Sequence, residues 1–315
     1  MAEHECDSIE VMSRFSKEPA FNRVTEPSAI SEVVLRLVAI RNRDWFPQGA
    51  CTIIAGHLAI TAAHVLRDFL QKWGTAQESG RSGVAAFDLK AIQVLNHPLR
   101  YSLWDVRECF ICPFTDIALL HLTPYCETAA TYARERSWKQ LAMDVLPPPR
   151  GSRIVGFGFH SSTSRLSKNP DGTDHIDLND QPTATVGEVR EIHREKRDSV
   201  KLNFPCYQVN ARFDGGMSGG PVLNDSGQLC GVICDSFNFD DPNEEHVSYV
   251  ATLWPAMGTI LSINRGGAFP KDVFYPMWEL ARDARIAAIN WQRVEVTPAS
   301  DANAPGGIAY VPSLR

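Results

Sequence analysis

The chain has 315 residues, of which 44% are hydrophobic and 22% charged, with a formal charge of -6 and a pI near 5.9. This is enough apolar material for a sizeable core in one large domain or two small ones. The acidic balance argues against nucleic acid or an anionic membrane as a partner, and the short, interrupted apolar runs predict no membrane span.

The first 30 residues are polar, mixed in charge and without clear periodicity, which is typical of a tail or of a segment that straps onto the body. They contain no basic n-region and no apolar h-region, so the sequence predicts no signal peptide and a cytoplasmic location. In such a reducing compartment the eight cysteines are expected to be free thiols.

Residues 31 to 146 are predicted to form a first β-barrel. The β-rich runs VVLRLVAIR, GACTIIAG and LAITAAHVL are separated by turn residues, and a short helix is predicted over residues 65 to 74. Further strands are predicted around residues 83 to 95 and over residues 115 to 122. Three consecutive prolines at positions 147 to 149 can join neither a helix interior nor a sheet ladder, so we place the boundary between two halves there.

The second half, residues 147 to 265, is predicted to form another barrel that ends in a helix after Trp254. It opens with the strand SRIVGFGFH, followed by a polar segment, residues 161 to 183, that is predicted to be a long surface loop. Closely spaced strands without helices between them favour antiparallel barrels over a parallel α/β sheet. The remaining predicted strands lie at about residues 184 to 192, 199 to 212, 220 to 225, 228 to 235 and 246 to 251.

Residues 266 to 315 are predicted to be a short α/β C-terminal extension. A helix is predicted over residues 273 to 288, followed by the strand-like stretch WQRVEV and a tail rich in Pro, Ala and Gly. Because this helix has apolar residues at helical spacing, it either packs on its own barrel or docks a partner.

Two cysteine pairs invite a metal or redox interpretation. Cys109 and Cys112 have the C-x-x-C spacing, but a structural zinc site needs four ligands and no second pair at suitable spacing completes it. No βαβ unit surrounds the pair, as a thioredoxin-like role would require. Cys230 and Cys234, four residues apart on a predicted strand, are expected to share a face and pack as small apolar side chains. We therefore expect no metal and no other cofactor.

The segment DGGMSGGPV carries the residue types of a nucleophile loop. Glycines on both sides of Ser218 permit a sharp turn that aims the N–H groups of Gly216 and Ser218 at one point, as an oxyanion hole requires. A serine hydroxyl also needs a base and a carboxylate that orients it. His64 ends an apolar stretch, and Asp116 is the one charge that opens the apolar run IALLHL.

The segments GACTIIAGHLAITAAHVL, TDIALLHL and DGGMSGGPVLNDSGQLCGVI resemble the three signature segments of trypsin-like serine peptidases, in the family's order of His, Asp and Ser. The resemblance implies an all-β fold of two six-stranded antiparallel Greek-key barrels with the active site between them. It implies that His64, Asp116 and Ser218 form the catalytic triad, with the amides of Gly216 and Ser218 as the oxyanion hole. Met217 stands where digestive members have an aspartate that pairs with a newly cut N-terminus, so that route of activation is not expected.

Two other histidines, His57 in a predicted turn and His121 within the strand that follows Asp116, are expected to be structural.

Register with the family also indicates residues that bind substrate. Arg212 falls near the base of the primary specificity pocket, while Cys234, Asp235 and Ser236 fall on the strand that pairs with the substrate backbone. If Arg212 faces into the pocket, we expect a preference for acidic side chains at the cleavage site. If the charge of Asp235 or Asp214 dominates in the pocket, we expect basic side chains, and an Arg212 that faces solvent predicts neither preference.

We expect a serine endopeptidase that cleaves a protein or peptide substrate inside the cell. Three alternatives stay open at this point: a protease that is latent until an activating protein partner binds, a silent pseudo-protease that binds peptides, and an esterase on the same machinery. Neither nucleic acid nor membrane is an expected partner.

Overall fold

The computed structural model describes residues 20–24, 29–41, 44–73, 89–96, 99–135, 139–168, 174–237, 245–262, 274–302 and 307–315. The described chain begins with strand β1 (Ala20–Arg23) and the short helix α1 (Ala29–Val33). From there it is mostly strands, arranged in two closed six-stranded antiparallel barrels with few helices, as the sequence predicts.

The first barrel closes in the order β2-β3-β4-β7-β6-β5. Its strands are β2 (Val34–Arg41), β3 (Asp44–Ala55), β4 (Leu58–Ala62), β5 (Leu89–Asn96), β6 (Leu99–Ile111) and β7 (Ile117–Pro124). Strand β4 is buried along its whole length and passes directly into helix α2 (Ala63–Trp73). A further helix, α3 (Glu127–Arg134), buries Ala129 and Tyr132 at the end of this half.

The second barrel is a ring of six strands joined to a short parallel strand. Its elements are β8 (Met143–Asp144), β9 (Arg153–Lys168), β10 (Asp174–His193), β11 (Cys206–Val209), β12 (Pro221–Leu223), β13 (Leu229–Phe237) and β14 (Val247–Ala251). The ring runs β9-β10-β11-β14-β13-β12 and closes where β12 pairs with β9. Strand β8 pairs in parallel with β13, so residues that precede the three prolines at 147 to 149 already pair with the second barrel.

The expectation that Cys230 and Cys234 share a face is wrong. Cys230 packs inside the second barrel, whereas Cys234 packs in the larger core cluster. A β-bulge between Ile233 and Asp235 interrupts the regular alternation of side chains along β13 at this point.

The prediction of a long surface loop over residues 161 to 183 is also wrong for the described residues 161–168 and 174–183, while residues 169–173 lie outside the described residues. Strands β9 and β10 are paired antiparallel over this segment and into the barrel, from Lys168 opposite Asp174 to Arg153 opposite Glu188. A two-stranded ribbon satisfies its backbone hydrogen bonds in its own ladder, so its sequence needs no alternation of apolar and polar residues. The polar composition of this segment therefore concealed its strands.

The N-terminal segment straps onto the second barrel in its described part. Strand β1 pairs antiparallel with β10, with Phe21 opposite Thr185, and the Val24 N–H donates to the Pro182 carbonyl at 2.8 Å. Of the two interpretations of the N-terminus, the strap holds for residues 20–24, while residues 1–19 lie outside the described residues.

The C-terminal region contains less helix than predicted. After β14 the chain forms a five-residue 3-10 helix, Trp254–Gly258, and then strand β15 (Ile260–Ser262), because Pro255 and Gly258 leave no uninterrupted run for an α-helix. Strand β16 (Phe274–Pro276) pairs with β15.

The helix predicted over residues 273 to 288 is only six residues long. Helix α4 (Met277–Arg282) begins after Pro276 and ends before Ala284, whose φ is 52°. Its apolar residues Met277, Leu280 and Ala281 are buried in the protein's own core, so this helix face is not available to dock a partner. The remaining elements are β17 (Ala288–Ile289), a 3-10 helix (Trp291–Arg293) and the hairpin of β18 (Val294–Ser300) with β19 (Ile308–Leu314), where the sequence indicated a strand and a tail.

Candidate active site

His64 and Asp116 are brought together by the ends of two paired strands. His64 is the second residue of α2, directly after β4, and Asp116 directly precedes β7, which pairs with β4. The Asp116 carboxylate accepts two hydrogen bonds from His64, from the backbone N–H to Oδ1 at 2.8 Å and from Nδ1 to Oδ2 at 2.6 Å. The imidazole is therefore held with its Nδ1 on the carboxylate and its Nε2 directed elsewhere.

The electrostatic surroundings of His64 favour its protonated form. Burial lowers the pKa of the imidazole, but the hydrogen bond and the charge of Asp116 outweigh this effect. The carboxylates of Asp68 and Asp235 act in the same direction, so the pKa of His64 is raised above its ordinary value. Such a group is a stronger proton acceptor than a free histidine.

The loop that carries Ser218 is fixed by both barrels. The Ser218 carbonyl accepts a hydrogen bond from the Ala50 N–H on β3 at 2.9 Å, and the Gly219 N–H donates to Ile233 on β13 at 2.9 Å. Gly219 has a φ of 83°, which favours glycine, and a Cβ there would lie 2.2 Å from the Ala50 carbonyl oxygen. The nucleophile loop thus lies at the contact between the two halves.

Gly216 and Ser218 have backbone N–H groups that are not used inside the protein. Gly216 has a φ of 94°, and a Cβ at this position would lie 2.4 Å from the Phe159 carbonyl oxygen. Among the described residues, neither N–H donates a hydrogen bond to another protein group. Two such donors on either side of Met217 are the groups that an oxyanion hole requires.

A cavity of about 810 Å³ lies between the barrels and brings the candidate residues together. His64, Asp116 and Ser218 line it, and so do the predicted substrate-binding residues Cys234, Asp235 and Ser236. Ser218 and His64 do not form a hydrogen bond in this structure. Catalytic hydrogen bonds commonly tighten only when substrate binds, so the open contact is compatible with a nucleophile and its base.

Arg212 lies outside the lining of this cavity. Its guanidinium donates two hydrogen bonds to Asp214, from Nε at 2.8 Å and from Nη2 at 2.9 Å, and the hydrogen bond raises the pKa of Arg212. Asp235, which does line the cavity, lies 2.6 Å from the ammonium group of Lys201. Arg212, Asp214 and Asp235, the charged residues considered for substrate specificity in the sequence analysis, are therefore paired with other charged groups of the protein.

Sequence analysis missed Arg67 and Lys201, which also line the cavity. Arg67 Nη1 lies 3.7 Å from Asp116 Oδ1. Arg67 could have been predicted to lie near the site, because it follows His64 by three residues on a predicted helix. Lys201 has no such local signal, because the irregular segment after β10 positions it.

His57 and His121, the two other histidines considered in the sequence analysis, contact groups away from the cavity. His57 Nδ1 lies 2.9 Å from the Leu122 carbonyl oxygen, and His121 Nδ1 lies 3.2 Å from a carboxylate oxygen of Glu108. Neither lines the cavity, and both contacts are those of structural residues.

The cysteines of the described residues are free thiols. Cys109 and Cys112 are buried, which raises the pKa of each thiol to about 12. No group of three or more His, Cys, Asp or Glu side chains that could hold a metal ion occurs in the described part of the chain. A thiol with so high a pKa is a poor metal ligand and a poor nucleophile.

Gly220→Ala is expected to destabilise the protein by about 3 kcal/mol or more, because the added methyl group has no space. It would lie 1.9 Å from the Phe157 carbonyl oxygen and 2.9 Å from that of Met217, and backbone atoms cannot move aside cheaply. Thermal unfolding measures the effect. Gly215→Ala in the same loop is the matched control, since nothing lies within 4 Å of its added Cβ, and an equal loss of stability in both variants would contradict the packing argument.

Two six-stranded barrels that bring a histidine–aspartate pair and a glycine-flanked serine to one cavity define the class of serine endopeptidases. The family model described as a trypsin-like peptidase domain matches residues 49–232, and the chain belongs to this family.

The solved structures that match this chain have low sequence identity to it. The active form of the Rv3671c protease from M. tuberculosis is 18% identical, with 76% of this chain and 87% of that chain covered and a TM-score of 0.41. The MamO protease domain from Magnetospirillum magneticum is 13% identical, with 71% and 93% covered and a TM-score of 0.41. Neuropsin, a serine protease of mouse brain, is 15% identical, with 73% and 93% covered and a TM-score of 0.45.

A search of curated proteins found no match. In the parts of the chain that the structure describes, every helix is too short or too polar to cross a membrane.

Proposed function

We propose that this endopeptidase cleaves a protein substrate through an acyl-enzyme formed on Ser218, with His64 as general base and Asp116 as the residue that orients it. The observation that carries the proposal is the pair of hydrogen bonds from His64 to Asp116, 2.8 and 2.6 Å, in the cavity that Ser218 also lines. A buried carboxylate, 4% exposed, is costly unless it has such a dedicated partner.

Each residue has one task in the proposed reaction. As Ser218 Oγ attacks the carbonyl carbon, its proton passes to His64 Nε2, and the carbonyl oxygen becomes an oxyanion between the N–H groups of Gly216 and Ser218. His64 then gives that proton to the leaving amine, and the acyl group stays on Ser218. Water attacks the ester in a second cycle with the same proton transfers. Asp116 keeps the proton on Nδ1 throughout and stabilises the imidazolium.

The substrate backbone is proposed to pair with the end of β13. From Asp235 to Phe237 this strand pairs with β14 on one side, and among the described residues its other edge has no partner strand. Cys234, Asp235 and Ser236 line the cavity at that edge. An extended peptide that adds a strand there places its carbonyl carbon near Ser218, which is a common mode of peptide recognition.

An uncharged side chain is proposed to occupy the pocket next to Ser218. Phe213 and Ile233 line the cavity, and the charges of Arg212 and Asp235 are engaged by Asp214 and Lys201. A charged substrate side chain would have to compete with these internal pairs. Cleavage of a peptide library only after acidic or only after basic residues would contradict this proposal.

The pH dependence of hydrolysis is expected to follow the raised pKa of His64. Below that pKa the imidazole is protonated and cannot accept the Ser218 proton, so kcat/KM should rise with pH through an apparent pKa above 6.5, the ordinary histidine value. Asp235→Asn removes a carboxylate that raises the pKa, so it should move the midpoint to lower pH. Asp225→Asn, which changes an exposed carboxylate outside the cavity, is the control and should leave the midpoint unchanged. A midpoint that Asp235→Asn moves upward, or one below 6.5 in the wild type, would contradict this assignment.

Covalent labelling tests the proposed nucleophile. A fluorophosphonate probe should modify the wild-type protein at one residue, and mass spectrometry of the digested adduct should identify that residue as Ser218. Labelling at another serine, or none at all, would remove Ser218 from the proposed role. The loop around Ser218 is hydrogen-bonded on both sides in this chain alone, which favours activity without an activating partner, so labelling is expected with no other protein present.

The proposed place of action is inside the cell, in the cytoplasm. The seven cysteines of the described residues are free, and six of them are buried, which supports a reducing compartment. Fractionation with an antibody to the protein tests this, and mature protein in the culture medium would contradict it.

A further inference from the structure

Through the side chain of Phe21, the N-terminal strand β1 contacts the core of the second barrel and two residues outside the nucleophile loop, Arg212 and His160. The Phe21 ring packs against the core cluster of the second barrel, which includes Phe213 and Met217. The Arg212 guanidinium carbon lies 4.8 Å from the centre of the Phe21 ring, within the range of a cation–π interaction. The His160 ring meets the same ring edge-on, with 5.6 Å between centroids. A strand from the start of the chain thus holds two basic side chains in place.

Both of these basic side chains meet on one buried carboxylate. Asp214 has a side-chain exposure of 8%, accepts the two hydrogen bonds from Arg212, and has its Oδ2 at 3.3 Å from His160 Nδ1. A carboxylate buried to this extent needs such partners, since an unpaired charge in a protein interior is strongly unfavourable. Arg212 and His160 therefore contribute to the orientation of Asp214, and both contact the Phe21 ring.

Asp214 in turn closes the turn that contains the oxyanion donors. Its carbonyl accepts the Met217 N–H at 3.1 Å, and its own N–H lies 3.5 Å from the Met217 sulfur. Gly216 lies within this turn, and Ser218 follows it directly. The backbone of Gly216 also lies close to the carbonyl oxygen of Phe159, the residue next to His160 on β9. A shift of Asp214 would therefore change the direction of the two N–H groups.

We propose that β1 is a positioning element of the active site, and that Phe21, Arg212 and His160 act through Asp214 to hold the oxyanion loop in its catalytic shape. This inference rests on the proposed role of Ser218 and its oxyanion hole. None of these three side chains touches the reacting atoms, so their contribution is to the geometry in which the transition state is bound. Met217 directly precedes the nucleophile, and Asp214, the buried partner of the exposed Arg212, lies three residues before Met217.

The test compares Phe21→Leu with Asn22→Ala in the full chain. Leucine keeps an apolar side chain but removes the ring that Arg212 and His160 contact, whereas Asn22 lies on the other face of the same strand. Labelling with the fluorophosphonate probe is measured as a function of probe concentration. Phe21→Leu should lower the maximal labelling rate about tenfold or more and leave the half-saturating probe concentration nearly unchanged, since the loss is in transition-state geometry. Asn22→Ala should label like the wild type.

A second pair of variants separates positioning from simple loss of fold. Arg212→Ala should lower the maximal labelling rate, and Arg212→Lys should restore part of it, because lysine keeps a charge on Asp214 without the bidentate geometry. All variants are compared at a temperature where thermal unfolding shows them folded. Coupling between two sites is reciprocal, so labelling of wild-type Ser218 should slow hydrogen exchange in the peptide that contains residues 20–24.

The outcomes are distinct. If the wild type labels and the folded Phe21→Leu variant labels at the same maximal rate, the inference about β1 is wrong while the proposed nucleophile stands. If the wild type does not label at Ser218, the proposed function itself fails. Unchanged hydrogen exchange in residues 20–24 after labelling would also overturn the inference, because a positioning element must respond to the site that it positions.

Discussion

Replacing Ser218 with alanine is expected to lower the kcat of peptide hydrolysis by about 10⁶-fold and to leave the thermal stability unchanged. The loss is expected to be this large because the Ser218 hydroxyl oxygen is the atom proposed to form the acyl-enzyme, and alanine leaves His64 no hydroxyl to activate. Stability should not change, because the bond that fixes this residue runs from the Ala50 N–H to the Ser218 carbonyl, which alanine keeps.

Hydrolysis of a fluorogenic peptide, found first by screening a library with the wild type, measures the loss in Ser218→Ala. Ser226→Ala is the matched control, because Ser226 is exposed in the turn after β12 and lies outside the cavity. It should retain wild-type kcat. A Ser218→Ala variant that hydrolyses the peptide at the wild-type rate would show that another group is the nucleophile.

Asp116→Asn is expected to lower kcat by about 10⁴-fold with a smaller change in KM. The two carboxylate oxygens accept hydrogen bonds from two donors of the same residue, the backbone N–H and Nδ1 of His64. An asparagine has one oxygen and one NH₂ group, so it can satisfy only one of these donors. If its oxygen faces the backbone N–H, its NH₂ group donates to Nδ1 and stabilises the tautomer with the proton on Nε2, which cannot act as the base.

The steady-state rate of the same fluorogenic peptide, measured across pH, checks this expectation. Asp68→Asn is the control, because Asp68 acts on His64 by charge alone from the exposed face of α2. Its kcat at a pH well above the pKa of His64 should be close to that of the wild type. An Asp116→Asn variant with nearly full kcat would mean that the imidazole is oriented by some other group.

Local signals in the sequence were enough to find the candidate triad residues, and the resemblance of the segments around them to trypsin-like serine peptidases implied the two barrels. His64 lies where an apolar strand gives way to a helix, Asp116 opens an apolar run, and glycines surround Ser218. Each of these patterns depends on a few neighbouring residues and on the backbone conformations that they permit.

The long hairpin and the C-terminal region could not be predicted in the same way. Residues 161 to 168 and 174 to 183 are paired with each other and need no apolar alternation, so their polar sequence indicated a loop. After Trp254 the apolar residues have helical spacing, but the run between Pro255 and Gly258 is too short for an α-helix and forms a 3-10 helix. The next residues form β15 because they pair with β16. Tertiary pairing overrides weak local propensity in both places.

The sequence by itself therefore determined the fold class and the segments that meet in the cavity. Only the tertiary structure decided how the charged groups near the cavity are paired, because the pairs Arg212–Asp214 and Lys201–Asp235 depend on where strands and loops cross. The same is true of Phe21, which lies 191 positions before Arg212 in the chain and yet contacts it. Contacts between distant residues are set by strand register and packing, and a single sequence carries no local pattern from which they can be predicted.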